Sequence, residues 1–415
     1  MKQKSKIYTL ILLLVTAMGF YTIPALVKMM TEDADDYPFV YYSSILKDFC
    51  FVEYQNTDAL MHDRAGNVYT QTQFDSLLPL LNYRQLILDG RLPDSINGHE
   101  VSAPILQAKN VVYRYSPDKI YTPESGLYIM YESAPKRING DTPTDVFRFT
   151  DRIEFIDIKS NKVKSEKSYS FQQAIDKAGY AFPPQWISGN MNPMKPYDQG
   201  YFSLDAKGEL YHIKMVNGHP FVRNTHIGEK MKIERFVMVE MADKRFSGFL
   251  FDQQGFVYII EADKEKYKPL KLDIDTIDIK HDEMLVMGNL LYWTVTVTRQ
   301  DKQSYYALET GPLKRVAAHE VIGSIGKWEI ASKWLFPVYL DFESNTTKYI
   351  APVARFTGYY VFFLNLILAL LVAFFIPNTK SKRAFYSTYV LLTGIVGLIA
   401  LSILPDFIKK KANKS

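Results

Sequence analysis

YFSLDAKGELYHIKMVNG, residues Tyr201–Gly218, decides how the chain reads. Tyr201–Leu204 is rich in strand-forming side chains. Asp205 and Gly208 supply turn chemistry, and Leu210–Val216 resumes an extended run. Asn217-Gly218 is a strong signal for a tight hairpin. The core of the stretch, Asp-x-x-Gly-x-[Val/Leu]-Tyr, recurs as Asp63–Gly66–Val68–Tyr69 and as Asp252–Gly255–Val257–Tyr258. The last two copies start 47 residues apart and the first two 142 apart, close to three such steps. A fixed period in this range points to a repeat architecture.

Weaker copies fall where that period places them. They begin at Ala108 (running to Tyr113), Asp157 (to Val163), Asp301 (to Tyr306) and Asp341 (to Asn345, with Lys348–Ile350 as the returning strand). Around the clear copies the strands group in fours: Phe246–Asp252, Phe256–Glu261, Leu270–Ile274 and Glu283–Met287 form one such set. Four strands per ~45 residues is the blade of a β-propeller, and the series predicts six or seven blades. A large β-sandwich, or two β domains, fits the same turn spacing. Frequent aromatics (29 Tyr, 26 Phe) agree with a mainly β chain.

Three apolar stretches frame this region: Ile7–Val27, Phe356–Ile376 and Ser387–Leu404. Each is long enough to cross a hydrocarbon core of ~30 Å as a helix. The reading is an N-terminal anchor (1–30), an extracytoplasmic β domain (31–355), a helix (356–376), a basic loop (377–386), a second helix (387–404) and a basic tail (405–415). The first stretch also has the lysine-rich start of a cleavable signal peptide, but lacks a clear small-x-small cleavage site. An inside N-terminus puts Lys2, Lys4, Lys6, Lys380, Lys382 and Arg383 on the cytoplasmic side, as the positive-inside rule favours. It leaves Lys409–Lys411 and Lys414 outside, against the rule. The expected location is therefore the inner membrane, with the large domain facing the periplasm or outside.

The net charge of +4 has its basic excess in these flanks, and 31–354 is acidic overall, which argues against a nucleic-acid partner. Cys50 is the single cysteine, so no internal disulfide and no cysteine-based metal site can form. It reads as a small buried hydrophobe.

No catalytic signature stands out. His319-Glu320 starts a zinc-protease motif, but Gly323 occupies the place of the second histidine. Gly326-Lys327 is followed by Trp328, which breaks a phosphate loop, and no Gly-x-Ser-x-Gly occurs. His212, His219 and His226 lie seven apart across a hairpin that could bring His212 near His226, but a metal site needs three or four ligands with defined tautomers, and they read as ordinary surface or core histidines. No metal or cofactor is expected.

Two insertions interrupt the period, Leu77–Val101 and Ser170–Tyr201. The second is aromatic and proline-rich. Insertions on a repeat scaffold commonly carry binding, so Trp186, Tyr197 and Tyr201 are the candidate ligand- or partner-binding residues. Among the apolar stretches, Asn365 is the strongly polar residue, and Gly394 and Gly397 permit close helix approach; these are the candidate helix-packing positions.

In layout the chain resembles an uncharacterised bacterial family: one N-terminal helix, a large aromatic-rich β domain and a C-terminal helical pair around Lys380–Arg383. Members of that family are often encoded beside ABC transporter subunits. The resemblance implies a membrane-anchored binding or scaffold protein accessory to a transporter or envelope complex. The alternative is an extracytoplasmic enzyme, such as a glycan hydrolase, with acidic residues at a propeller mouth. A transporter core is weaker, since no charged residue lies within the apolar stretches.

Overall fold

The computed structural model describes residues 2–31, 37–55, 58–121, 125–135, 142–192, 195, 197–241, 243–263, 266–323, 326–342, 352–376 and 378–404. The sequence expectations at Pro377, at 343–350 and in the 405–415 tail lie outside them. The chain divides into two compact units, Tyr37–Ile322 on the one hand, Met1–Asp36 with Gly323–Ser415 on the other. Residues 323–355, grouped by sequence with the β domain, cluster with the apolar helices.

Tyr37–Ile322 is mainly β, built from antiparallel sheets in which sequence neighbours pair. Sheet A contains Phe39–Ser43, Asp48–Gln55, Asp58–Asp63 and Val68–Tyr69. Sheet B pairs Asp145–Phe149 with Ile153–Asp157 and is extended by single bridges at Tyr128 and Val163. Sheet C contains Trp186–Gly189, Tyr201–Leu204, Leu210–Val216 and His219–Asn224. Sheet D contains Ile233–Met238, Phe246–Asp252, Val257–Asp263 and Lys266–Lys271. Sheet E contains Glu283–Gly288, Tyr292–Thr298, Lys302–Glu309 and Arg315–Ile322, with Val111–Tyr115 added beside its first strand.

Alternation along the strands sends side chains to both faces of a sheet, and both faces are buried. In sheet C, Tyr201, Tyr211 and Ile213 share a core with Phe147, Phe155 and Phe171 of the sheet B region. Phe202, Leu204 and Leu210, one residue out of step, share another with Phe236, Leu250 and Ile260 of sheet D. Phe249, Phe251 and Ile259 of sheet D meet Val286, Trp293 and Val295 of sheet E. Tyr305 and Ala307 of sheet E then meet Val40, Tyr42, Phe49 and Phe51 of sheet A. Each large apolar side chain so buried contributes about 1.5–3 kcal/mol. Among the described residues no such core joins sheet A to sheet B.

The recurrent motif is a real turn. In each clear copy the Asp N–H donates to the carbonyl four residues on, and the Gly N–H donates back to the Asp carbonyl. The carboxylate then takes the amide of the fourth residue on: Asn67 N–H to Asp63 (2.9 Å), Glu209 N–H to Asp205 (2.9 Å), Phe256 N–H to Asp252 (2.9 Å). Tyr69 and Tyr258, the last motif residues, donate their hydroxyls to Asp63 (2.7 Å) and Asp252 (3.1 Å). Positive φ at Gly66, Gly208 and Gly255 explains the glycine.

The period does not mark sheets in the way expected. The turns at Asp205, Asp252 and Asp301 join the second and third strands of sheets C, D and E, whereas Asp63 joins the third and fourth strands of sheet A. The predicted four-strand set is one strand out of phase, since Glu283–Gly288 opens sheet E. Ala108 lies in the helix Ala103–Lys109, and Asp341 lies in a hairpin of the other unit. The first insertion follows the helix Gln71–Leu77 and holds the short helix Tyr83–Leu88 and a small hairpin of Ser95–Ile96 with His99–Glu100; the second opens inside the helix Ser165–Ala178, which Gly179 ends at φ +82°.

In the other unit, Ile7–Thr31 and Lys380–Ile403 are helices long and apolar enough to cross a membrane; Val361–Phe375 is a shorter apolar helix. The second predicted stretch loses its first residues, because Phe356 ends a strand and Gly358 at φ +116° holds the chain out of a helix. The expected basic loop is instead largely helical: the last helix begins at Lys380, behind Thr379 in an extended conformation. The helices share a core of Leu12, Val372, Tyr386, Val390, Ala400 and Leu401. Thr16 and Tyr389 hydroxyls meet at 2.7 Å.

Candidate functional site

The second insertion enters sheet C as its first strand, Trp186–Gly189, and returns as Tyr201–Leu204 after the connection 190–200. What fixes that connection is a buried charge cluster. Lys195 Nζ forms ion pairs with Asp198 and with Glu240 Oε1 (3.3 Å), and all three side chains are almost fully buried, Glu240 at 1% exposure. Lys195 also donates to the Asn190 carbonyl (2.6 Å). Glu240 accepts from the Gln199 N–H (2.7 Å) and from Asn190 Nδ2 (2.8 Å). Asp198 accepts from the Gly200 N–H (2.7 Å). Burial pushes the Glu240 carboxyl upward, against its donors and Lys195. Gly200 has φ +71°, and a Cβ there would lie 2.4 Å from the Ile213 carbonyl oxygen, so only glycine fits.

Because Glu240 follows the first strand of sheet D, the cluster ties the sheet C connection to the sheet D turn. Tyr197 continues the tie: its hydroxyl donates to the Met241 carbonyl (2.6 Å), and Lys244 Nζ sits 4.9 Å over its ring. Asp243 in the same turn takes Lys109 Nζ (2.8 Å) and Arg245 (3.0 Å). Burial works to raise the Asp243 carboxyl, but those partners outweigh it and hold it low. Lys109 ends the helix Ala103–Lys109 that precedes the added strand of sheet E, so the ionic belt draws on the sheet C connection, the sheet D turn and that helix.

Beside the belt, Tyr42, Ser44, Leu80, Asn110, Gly288 and Thr294 line a cavity of about 50 Å³. Asn110 Oδ1 is buried there without a partner. The volume suits water, not an organic substrate, whose pockets run to several hundred Å³.

The three sequence candidates separate. Tyr197 stands on the connection. Trp186 is a half-buried strand residue with the Arg235 guanidinium 5.6 Å over its ring. Tyr201 is core, 2% exposed, its hydroxyl bonded to the Ile129 carbonyl, and its ring offers no surface to a ligand. Sequence reasoning missed Asn190, Lys195, Asp198 and Glu240, which meet only because two sheets do. The available signal was a lone Lys, Lys195, inside the apolar, proline-rich stretch 182–201. The three histidines do not converge: His212 is buried, while His226 is exposed and pairs with Glu229 at 2.7 Å. Among the described residues no cluster could hold a metal ion.

His212 supports the same connection, its ring nitrogens meeting the Gln199 carbonyl and the Tyr267 hydroxyl, each at 2.6 Å. Burial, then Lys214, pushes its pKa down to about 3. In the unfolded chain it returns to ~6.5. The unfolded state thus binds a proton between those values that the folded state refuses, and stability falls as pH drops through this window. We expect the acid limb of thermal stability between pH 6 and 3 to flatten in His212→Gln; an unchanged slope assigns that limb to other groups.

Cys50 is fully buried, and burial, then Asp63 and Asp48, pushes its thiol up to about 12. Native protein at pH 8 should resist iodoacetamide and react at one site after denaturation. Native labelling contradicts that environment.

Asn365 is fully buried and donates Nδ2–H to the Leu391 carbonyl (3.1 Å). Gly394 breaks the last helix, with φ 63° and ψ −145°, and a Cβ there would lie 2.5 Å from Asn365 Oδ1. Gly397 is also buried, where a Cβ would strike Thr393 and Tyr389.

The fold and this cluster define a class: a domain of antiparallel β meanders on a chain with apolar helices near both ends. Residues 39–308 match the family described as Domain of unknown function (DUF4857), and the chain belongs to that family. No curated protein matches it. Among solved structures it is similar to PorZ, an essential bacterial surface component of the type-IX secretion system of Porphyromonas gingivalis. The identity is 10% and the TM-score 0.21, over 69% of this chain and 32% of PorZ. The chain therefore spans about a third of PorZ, and a likeness of that size carries no argument.

Proposed function

We propose that this chain is a membrane-anchored binding protein of the cell envelope, an accessory subunit of a transporter. Its β unit faces outside the inner membrane and binds a partner through the connection 190–200 and the adjoining 241–245 turn. Its apolar helices dock on a permease. The stacked four-stranded meanders read best as propeller blades whose ring needs the sheet A–sheet B contact to close. The observation that carries the binding reading is the charge cluster. It fastens Asn190, Lys195 and 198–200 of the inserted connection to Glu240 and so lowers the ordering cost of binding. We do not propose acid–base chemistry at Asp198 and Glu240, because their oxygens are engaged by Lys195, Asn190 and backbone amides instead of facing a cavity.

The test is purification in mild detergent with identification of co-eluting proteins, comparing wild type with Met191→Asp/Lys244→Glu. Both residues are exposed, so the fold should survive. Loss of a co-purifying permease or soluble exported protein in the variant supports the assignment. Undiminished recovery from a folded variant overturns it.

A further inference from the structure

We infer that the helix Lys327–Leu335, together with Phe356, Tyr359 and Tyr360, forms a collar that lies in the headgroup layer of a phospholipid bilayer. The inference rests on the reading that the apolar helices cross a membrane. It adds which residues meet the lipid surface and why.

The first reason is length. Val361–Phe375 has 15 residues, and at 1.5 Å per residue an α-helix of that length covers only about 22 Å of a ~30 Å hydrocarbon core. Something apolar must extend it, or the bilayer must thin. Immediately before it stand Phe356, Tyr359 and Tyr360, exposed by 84%, 85% and 57%. Large aromatics held that far into water are costly, whereas Tyr and Trp are favoured at the membrane interface.

The second reason is the helix Lys327–Leu335. Ile330 and Trp334, one turn apart, are exposed by 50% and 46%. Trp334 packs on Tyr360, ring centroids 5.5 Å apart, so this apolar stripe continues the aromatic run. Trp328 turns inward instead, onto Tyr339 at 5.5 Å. Lys327 and Lys333 flank the stripe at helical spacing. Lys333 pairs with Glu329 and Arg355 with Asp341, so anionic lipid is not required.

The third reason is continuity. Phe342 packs edge-on against Tyr21 of the N-terminal helix at 4.8 Å, which ties the hairpin below the collar to the first apolar helix. At the far end of the 15-residue helix, Phe374 and Phe375 are again exposed, and Phe385 follows beside Lys382 and Arg383.

The experiment uses the full chain in phospholipid vesicles, with Trp334→Cys, Phe356→Cys and Tyr359→Cys each carrying a nitroxide. Buried Cys50 stays unlabelled. Labels at Leu371→Cys and Tyr169→Cys mark the helix middle and the β unit's surface. Collision with oxygen relative to a water-soluble nickel chelate reports depth. Collar labels should fall between the Leu371 and Tyr169 values. Collar labels as water-exposed as Tyr169, with Leu371 in lipid, overturn the collar and leave the membrane reading standing. A water-exposed Leu371 overturns both. Quenching by brominated lipid gives a second readout: Trp334→Phe should lose most of the quenched tryptophan signal.

Discussion

Lys195→Met will destabilise the Tyr37–Ile322 unit by roughly 3–5 kcal/mol, the usual cost of stripping one partner from a buried ion cluster. The lysine faces Asp198 and Glu240, and all three are nearly withdrawn from water. Without it, two carboxylates share a low-dielectric site with no counter-charge, and Asn190 loses the contact to its carbonyl. Chemical denaturation followed by tryptophan fluorescence in a Trp328→Phe/Trp334→Phe background, which leaves only Trp186 and Trp293 of the β unit, should show a lower midpoint at unchanged slope. Glu240→Gln added to Lys195→Met should recover part of the loss, because only one of the two carboxylates, Asp198, then remains without a counter-charge. A Lys195→Met midpoint within error of wild type would show that the cluster does not hold the connection, and the preorganisation argument for binding would go with it.

Gly394→Ala is the second large effect, expected at about 2–4 kcal/mol from a left-handed backbone and a forced overlap together. The new Cβ would sit 2.5 Å from Asn365 Oδ1, and Asn365 cannot swing away while its amide spans to Leu391. Heating the detergent-solubilised chain and following helix loss reads the change. Asn365→Ala alone should cost only about 1 kcal/mol, the scale of one interhelical hydrogen bond. In that background Gly394→Ala should cost less, since the clash is removed while the backbone strain stays. Equal penalties in both backgrounds would mean that the two residues do not touch.

These two sites show what the sequence could and could not disclose. Asn365 and Gly394 were legible as a lone polar group and a small residue in apolar surroundings, where either is expensive unless it has a purpose. The Asp63, Asp205 and Asp252 turns were legible because Asx chemistry is local: the carboxylate closes the turn with amides two to four residues away. Their spacing misled about sheets for the same reason. A turn motif records a tight connection and is blind to whether it joins strands two and three or strands three and four. Six or seven blades were expected; among the described residues sheets A, C and D have four strands, sheet E five and sheet B two, because Val111–Tyr115 was absorbed into sheet E and Asp341 belongs to the helical unit. Lys195, Asp198 and Glu240 were invisible because their meaning depends on sheets C and D being neighbours, which no local pattern encodes. Tyr201 was singled out for its aromaticity within an insertion, yet strand alternation turns it into the core shared with sheet B.

The proposed function requires the β unit to lie outside the inner membrane. The direct measurement is labelling of Tyr169→Cys, an exposed position, with a membrane-impermeant maleimide in spheroplasts. The account predicts full labelling before lysis, with Cys50 silent. Labelling that appears only after the membrane is permeabilised would place the unit in the cytosol and contradict it.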